Sequence, residues 1–194
     1  MKKGSLIFII ILLFLVSLLA TKNYLKPKPL SLADYPNNFI TNNKLTARLV
    51  VPSSANGIVL GGNFAIAVQI LRYENNLSYN TPLLMTSNET YGEDDESKII
   101  NKGDLIIVGN PCKLEPELLS ERYPCSLWKE KPQYFEFFLE KKDDSKKLYA
   151  VLKDEVERDK AWGFVSNYIS FKEKFPTKEP RICFSADQQE ITCE

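Results

Sequence analysis

The feature that most constrains this chain is its N-terminal apolar segment, because that segment decides on which side of a membrane the remaining residues fold. Lys2 and Lys3 precede an apolar run from Leu6 to Ala20, in which Ser17 is the single polar residue, and a stretch rich in lysine and proline follows. Membrane translocation machinery recognises a basic start, an apolar core and a polar exit. We therefore interpret residues 1–21 as a membrane anchor or signal segment, with the rest of the chain across the membrane.

The residues around the apolar run distinguish several fates for this segment. A cleaved signal peptide needs small residues just before the cut, and Leu18 does not fit that pattern. A lipoprotein needs a cysteine directly after the run, which is absent, and the prepilin-like pair Gly4-Ser5 lacks the glutamate that follows in pilins. An uncleaved helix needs about 20 apolar residues, which the run approaches once its flanking residues are included. We predict a single uncleaved transmembrane helix.

The cysteines indicate the compartment in which the domain folds. Their number is even, they form no C-x-x-C motif, and the chain has no histidine, so a zinc site is not expected. Disulfide bonds require an oxidising compartment. The numbers of lysines on the two sides of the apolar run are nearly equal, so they do not decide the orientation in the membrane. The prediction that the domain lies outside therefore depends on the cysteines. The four cysteines are Cys112, Cys125, Cys183 and Cys193.

Two asparagines lie in the acceptor pattern for N-linked glycosylation. Asn76 begins the triplet Asn76-Leu77-Ser78, and Asn88 begins the triplet Asn88-Glu89-Thr90. Such triplets are glycosylation acceptors in exported chains, and they also arise often by chance. Asn76 and Asn88 are therefore the predicted glycosylation sites, and both agree with an external domain.

Spacing predicts how the cysteines pair, although four cysteines allow three pairings. Cys183 and Cys193 lie symmetrically about Gln188, so a hairpin turning there sets them opposite each other at a disulfide-forming distance. Cys112 ends a strand, and Cys125 follows a short helix that can fold back beside it. We predict the pairs Cys112–Cys125 and Cys183–Cys193. The alternative is four reduced, buried thiols in a domain that faces the cytoplasm.

Charge and residue types exclude several functional classes. The chain has 25 basic and 25 acidic residues, and this zero net charge argues against a nucleic-acid partner. The absence of histidine removes Ser-His-Asp and Cys-His catalysis together with histidine metal sites. The acidic run at 93–96 lacks the spacing of a calcium loop. We therefore predict no catalytic residue, no cofactor and no metal site, and we do not expect an enzyme.

Strand-forming and helix-forming patterns alternate after a spacer. Residues 22–36 contain three prolines among polar residues and are predicted to be an extended spacer. Residues 37–194 are predicted to form one extracytoplasmic α/β domain with a single mixed sheet and a C-terminal hairpin. Segment 57–75 fits either a strand with a glycine turn or one buried helix. The predicted strands are 44–51, 81–86, 105–108, 134–140, 148–152, 182–184 and 191–193, with helices at 115–122 and 155–171.

Several stretches form a recognisable order along the chain. Asp34-Tyr35-Pro36 with Phe39 precedes the first long strand, and residues 49–51 lead through a polar turn into the segment rich in small residues. The stretch from Asp104 to Cys112 reads DLIIVGNPC, an apolar strand followed by a glycine and a proline. Taken in this order, these stretches resemble the archaeal S-layer proteins, which form surface arrays. The resemblance implies an S-layer-like α/β fold and a place in the cell envelope.

These observations give one expected function and two alternatives. We expect a single-pass membrane protein whose external domain has a structural or protein-contact role, with other envelope proteins as partners and an oligomeric state left open. The alternative from another class is a small-molecule or carbohydrate sensor domain, which requires a deep apolar pocket with converging polar groups. An exported enzyme requires paired acid–base residues, and the sequence shows no such arrangement.

Overall fold

A seven-stranded mixed sheet forms the centre of the protein, in the order β4-β3-β5-β7-β6-β8-β9. The computed structural model describes residues 29–51, 66, 69–78, 84–86, 103–112, 123–142, 144–153 and 158–194. The predicted membrane segment, residues 1–21, lies outside these ranges. Within them, no helix has both the length and the apolar character needed to cross a membrane. The strands of the sheet are β3 (Arg48–Val51), β4 (Leu84–Thr86), β5 (Leu105–Gly109), β6 (Phe135–Lys142), β7 (Ser145–Leu152), β8 (Arg181–Phe184) and β9 (Glu190–Ile191).

The parallel half of the sheet is organised around β5. This strand pairs in parallel with both β3 and β7, and all five of its residues are buried. A strand covered on both faces needs apolar residues at every position rather than alternation. The run Leu105-Ile106-Ile107-Val108 meets that requirement, so the prediction of a central buried strand is confirmed.

The antiparallel half of the sheet contains two hairpins, and both differ in detail from the prediction. Strands β6 and β7 pair as far as Lys142 and Ser145, whereas the predicted strands end at residue 140 and resume at residue 148. The pairing continues although Lys141 lies opposite Lys146, and the adjacent pair Glu140 and Lys147 has opposite charges. In the C-terminal hairpin, Cys183 lies opposite Ile191 rather than Cys193, so Cys193 follows the strand instead of facing Cys183 directly.

Both faces of the sheet are covered, which gives a three-layer arrangement. Helix α2 (Arg158–Ile169) packs its Val165 and Ile169 on one face, called here the helix face, with the larger hydrophobic core. On the opposite face, called here the second face, helix α1 (Cys125–Glu130) contributes the fully buried Trp128. The smaller core on the second face consists of Val50, Leu105, Ile107, Tyr123, Trp128, Tyr149 and Val151.

The folded unit begins before residue 37, because it includes residues that the sequence assigns to the predicted spacer 22–36. Leu32 and Tyr35 are buried in the larger core, within and just after a 3-10 turn at Leu32–Asp34. The Tyr35 hydroxyl donates to the main-chain oxygen of Ile169 at 2.6 Å, and burial raises the pKa of this phenol. Apolar residues among the prolines therefore belong to the core, although the composition of the segment is typical of an extended spacer.

Three further segments agree with the sequence pattern only in part. The predicted strand 44–51 is divided into β2 (Lys44–Leu45), which pairs with β1 (Ile40–Thr41), and β3 in the main sheet. Within segment 57–75, residues 66 and 69–74 are helical, which agrees with the helix alternative for that part. The predicted helix 115–122 lies outside the described residues, and Cys125 begins a helix instead of closing one.

Candidate functional site

Two disulfide bonds connect the four cysteines. Cys112 is bonded to Cys125 with Cα atoms 4.6 Å apart, and Cys183 is bonded to Cys193 with Cα atoms 5.2 Å apart. These are the two pairs that the sequence predicts, although the register of the second hairpin makes its bond diagonal rather than directly cross-strand. Because disulfide bonds persist in oxidising compartments, the pair indicates an extracellular domain.

Removing the second disulfide is expected to weaken the domain measurably. The bond closes a loop of ten residues, for which loop-closure entropy gives about 3 kcal/mol. The variant Cys183→Ser/Cys193→Ser should therefore unfold at a lower urea concentration than the oxidised wild type, by about 2–3 kcal/mol in free energy. Wild type unfolded in the presence of a dithiol reductant, which breaks both disulfide bonds, gives the lower limit for the stability of the variant. An unchanged urea midpoint for the variant would show that this bond does not stabilise the domain.

The most elaborate polar arrangement of the described residues surrounds Glu136, a carboxylate with no solvent exposure. Its Oε1 accepts hydrogen bonds from the Tyr123 hydroxyl and from Arg181 Nε, each at 2.6 Å. Its Oε2 accepts from Gln133 Nε2 at 3.1 Å and from Arg181 Nη2 at 3.2 Å. Four donors on one carboxylate satisfy a group whose burial would otherwise be costly.

The sheet register explains why a glutamate lies inside the protein. Glu136 is paired with Val151 on one side and with Cys183 on the other, so its side chain points to the second face. Tyr123 covers that face and Arg181 reaches it from β8, so the carboxylate meets donors rather than water. The alternation of β6 places Glu136 on the face away from Phe135 and Phe137, but alternation alone does not show that this face is also covered.

The charges in this cluster neutralise each other. Burial by itself lowers the pKa of Arg181, but the hydrogen bond and the negative charge of Glu136 outweigh burial and raise that pKa above its ordinary value. The guanidinium therefore stays charged, and its 21% exposed side chain forms the solvent-facing edge of a buried ion pair. With its acceptor positions occupied, Glu136 is arranged to hold structure together rather than to transfer protons.

Two of these donors, together with Lys131, also hold the last residues of the hairpin in place. The main-chain oxygen of Glu194 accepts hydrogen bonds from Lys131 Nζ, from Gln133 Nε2 at 3.2 Å and from Arg181 Nη2 at 2.7 Å. Glu194 follows Cys193, so the disulfide and these three donors fix the same short segment. This segment and the buried ion pair consequently form one structural unit, in which Arg181 contacts both parts.

The turn after β5 lies where α/β sheets commonly place ligands. Here the side chain of Asn110 is used internally: its Oδ1 accepts from the Cys112 N–H and its Nδ2 donates to the Lys153 main-chain oxygen, both at 2.7 Å. Both ends of the amide are therefore engaged in closing the turn that leads to the first disulfide. This geometry supports a structural role for the turn.

Two open cavities of similar size lie on the surface of the described part. One, of about 440 Å3, lies beside β8 and β9, with Phe138 and Ile191 among its lining residues. The other, of about 430 Å3, lies where the β1–β2 hairpin meets the helical segment 69–74. Among the described residues, no group of three or more acidic or cysteine side chains is arranged to hold a metal ion.

The structure describes one of the two predicted glycosylation sites. Asn76 is exposed and lies at the edge of the second of these cavities, directly after the helical segment. Asn88 lies outside the described residues. The sequence pattern selects Asn76 without indicating its exposure, which depends on where the helix ends.

No family profile, characterised protein or solved structure shows significant similarity to the chain.

Proposed function

We propose that this protein is a membrane-anchored cell-surface protein whose S-layer-like domain has a structural or protein-contact role in the cell envelope. The observation that carries the proposal is the pair of disulfide bonds in a domain that follows an apolar N-terminal segment. Such bonds belong to an oxidising environment, and the apolar segment provides the means of export and attachment. We propose a single membrane helix within residues 1–21, with the domain outside.

The S-layer-like assignment is supported by the order along the chain of the stretches that resemble S-layer proteins. The phrase Asp104 to Cys112 contains β5, the central strand, and the turn that leads to the first disulfide. Asp104 itself joins three strands at their starts, because its Oδ2 accepts from the Thr46 hydroxyl and its Oδ1 from the Lys146 N–H. Thr46, Asp104 and Lys146 therefore connect the starts of β3, β5 and β7, and such connections suit a scaffold domain.

The polar chemistry of the described part favours contact over catalysis. Glu136 is fully hydrogen-bonded and inaccessible to solvent, and Asn110 is occupied by main-chain partners. Catalytic groups need access to a substrate and a proton to exchange with it. A domain that uses its most elaborate polar cluster for internal support is suited to withstand conditions outside the cell while it binds neighbouring proteins.

Protease shaving of intact cells tests the proposed location. An added protease is expected to release or degrade the domain in intact cells, because the proposed location places the domain outside the membrane. A cytoplasmic protein followed in the same sample should persist, which shows that the cells are intact. If the domain survives in intact cells but is degraded after lysis, it lies inside, and the proposal is wrong.

A sensor function is the second candidate, and the cavity beside β8 and β9 is the observation that favours it. Phe138 and Ile191 supply apolar surface there, while Arg181 and Glu190 supply charge. A polar small molecule bound in this cavity would raise the melting temperature in a saturable way, and Ile191→Trp, which fills the cavity, would abolish that rise. If neutral sugars and amino acids at millimolar concentration produce no rise, the contact role is favoured.

A further inference from the structure

The end of the helical segment 69–74 holds Asn76 at a fixed position. Asn76 has a φ of 56°, in the left-handed region that asparagine tolerates better than most residues. Its N–H donates to the main-chain oxygen of Tyr73 at 3.2 Å, and the Leu77 N–H donates to that of Arg72 at 3.0 Å. These two bonds form a Schellman motif, which ends the helix at Asn76.

The β1–β2 hairpin fixes the glycosylation triplet from the other side. The Ser78 N–H donates to the main-chain oxygen of Asn43 at 3.0 Å, and Asn43 Nδ2 donates to that of Asn76 at 3.0 Å. Leu77 is only 8% exposed and packs in the larger core. The main chain of the triplet is therefore held on both sides, while the side chain of Asn76 remains exposed.

The surface beside Asn76 combines an aromatic ring with polar groups. Tyr73 is 89% exposed, so its ring is accessible to a group attached at Asn76. Gln69 and Arg72 line the same cavity of about 430 Å3, and Arg72 Nη1 donates to Gln69 Oε1 at 2.7 Å. A ring that packs against C–H groups, beside an amide and a guanidinium that hydrogen-bond to hydroxyls, matches the two kinds of surface of a sugar.

We propose that Asn76 carries an N-linked glycan and that the first sugar of this glycan packs against Tyr73 in the cavity. The inference rests on the extracytoplasmic location proposed above, because transfer of the glycan requires export. In the transfer, Asn76 Nδ2 forms a bond to the anomeric carbon of the sugar and loses a proton. The bond between that carbon and a phosphate oxygen of a lipid diphosphate donor breaks, and the diphosphate leaves with the electron pair.

Mass spectrometry of the protein purified from the cells that make it tests the modification. The peptide that contains Asn76 is expected to carry the added mass of a glycan. Ser78→Thr should retain this mass because threonine also completes the triplet, whereas Ser78→Ala should lose it. Asn76→Gly should also lose it while preserving the end of the helix, since glycine suits the left-handed position.

The two possible failures are distinguishable by the state of the cysteines. Unmodified Asn76 in protein whose two disulfide bonds have formed would overturn the glycan inference and leave the external location intact. Unmodified Asn76 in protein with four free thiols, protected inside intact cells, would overturn both proposals.

The role of Tyr73 is tested by comparing two backgrounds. With the glycan present, Tyr73→Ala is expected to lower the melting temperature by about 2–4 °C, because the sugar loses its packing partner. In the Asn76→Gly background, the same change should leave the melting temperature unchanged or raise it slightly, since alanine is the better helix former. Tyr73→Phe, which retains a ring, is the matched control and should behave as wild type. An equal effect of Tyr73→Ala in both backgrounds would exclude the packing of the sugar on this ring.

Discussion

The variant Glu136→Gln is expected to lose about 3–5 kcal/mol of unfolding free energy, one of the two largest effects that we predict for a single substitution. The substitution removes the negative charge that neutralises Arg181, and the carboxylate that carries this charge has no solvent exposure. It also replaces one acceptor oxygen by an amide nitrogen, which faces the donors Tyr123, Gln133 and Arg181. Urea denaturation with linear extrapolation measures the loss.

Glu140→Gln is the matched control for this experiment. Glu140 lies on the same strand and the same face as Glu136, but it is half-buried and its cross-strand neighbour is Lys147. Burial lowers the pKa of Lys147, and the charge of Glu140 partly opposes that effect. Because this pair lies near solvent, the control should lose less than about 1 kcal/mol.

A double-mutant cycle separates the ion pair from its surroundings. The losses of Glu136→Gln and Arg181→Gln should not add, because each single variant already leaves the partner without its countercharge. The double variant should therefore lose less than the sum of the two single variants, by about 1–3 kcal/mol. Strictly additive losses would contradict a direct interaction between Glu136 and Arg181 as the source of the effect.

The parts of the fold that follow from local pattern were predictable from the sequence. The run Leu105-Ile106-Ile107-Val108 identifies a strand that must be buried on both faces, and it is the central strand of the sheet. The spacing of Cys183 and Cys193 about a polar turn identifies their hairpin and their bond. Each inference depends on residues close together in sequence, where geometry leaves few alternatives.

The buried cluster was not predictable in the same way, because its members are distant in sequence. Glu136 and Arg181 are 45 positions apart, and only the pairing of β6 with β8 brings them together. A signal nevertheless exists in the sequence. A central strand that is apolar at every position indicates a second covering layer, so a glutamate on that face of the next hairpin is a candidate for burial among hydrogen-bond donors.

Register and boundaries were the least predictable features, because small energy differences decide them. The C-terminal hairpin pairs Cys183 with Ile191. This register differs by two residues from the symmetric pairing that places Cys193 opposite Cys183. Likewise, the prolines between residues 22 and 36 suggest a spacer, whereas the burial of Leu32 and Tyr35 depends on contacts with residues near the other end of the domain, such as Ile169.

Phe137 is the residue whose truncation should show how strongly the helix face contributes to stability. Its side chain has no solvent exposure, and four aromatic rings lie around it, with centroids at 5.0–6.4 Å. The variant Phe137→Ala removes a large apolar group and leaves a cavity lined by aromatic rings. The expected loss is about 3–5 kcal/mol in unfolding free energy.

Phe138→Ala is the control, because it removes the same atoms from the adjacent residue on the second face. Phe138 is only half-buried and contacts Tyr123 and Tyr149 rather than the larger core. Since apolar stabilisation scales with the area removed from water, this control should lose roughly half as much as Phe137→Ala or less. For a domain of this size, the difference appears as a melting temperature lower by about 5–10 °C for Phe137→Ala than for the control. Equal losses would mean that the two faces contribute similarly, and that the layer over the second face stabilises the sheet as strongly as α2 does.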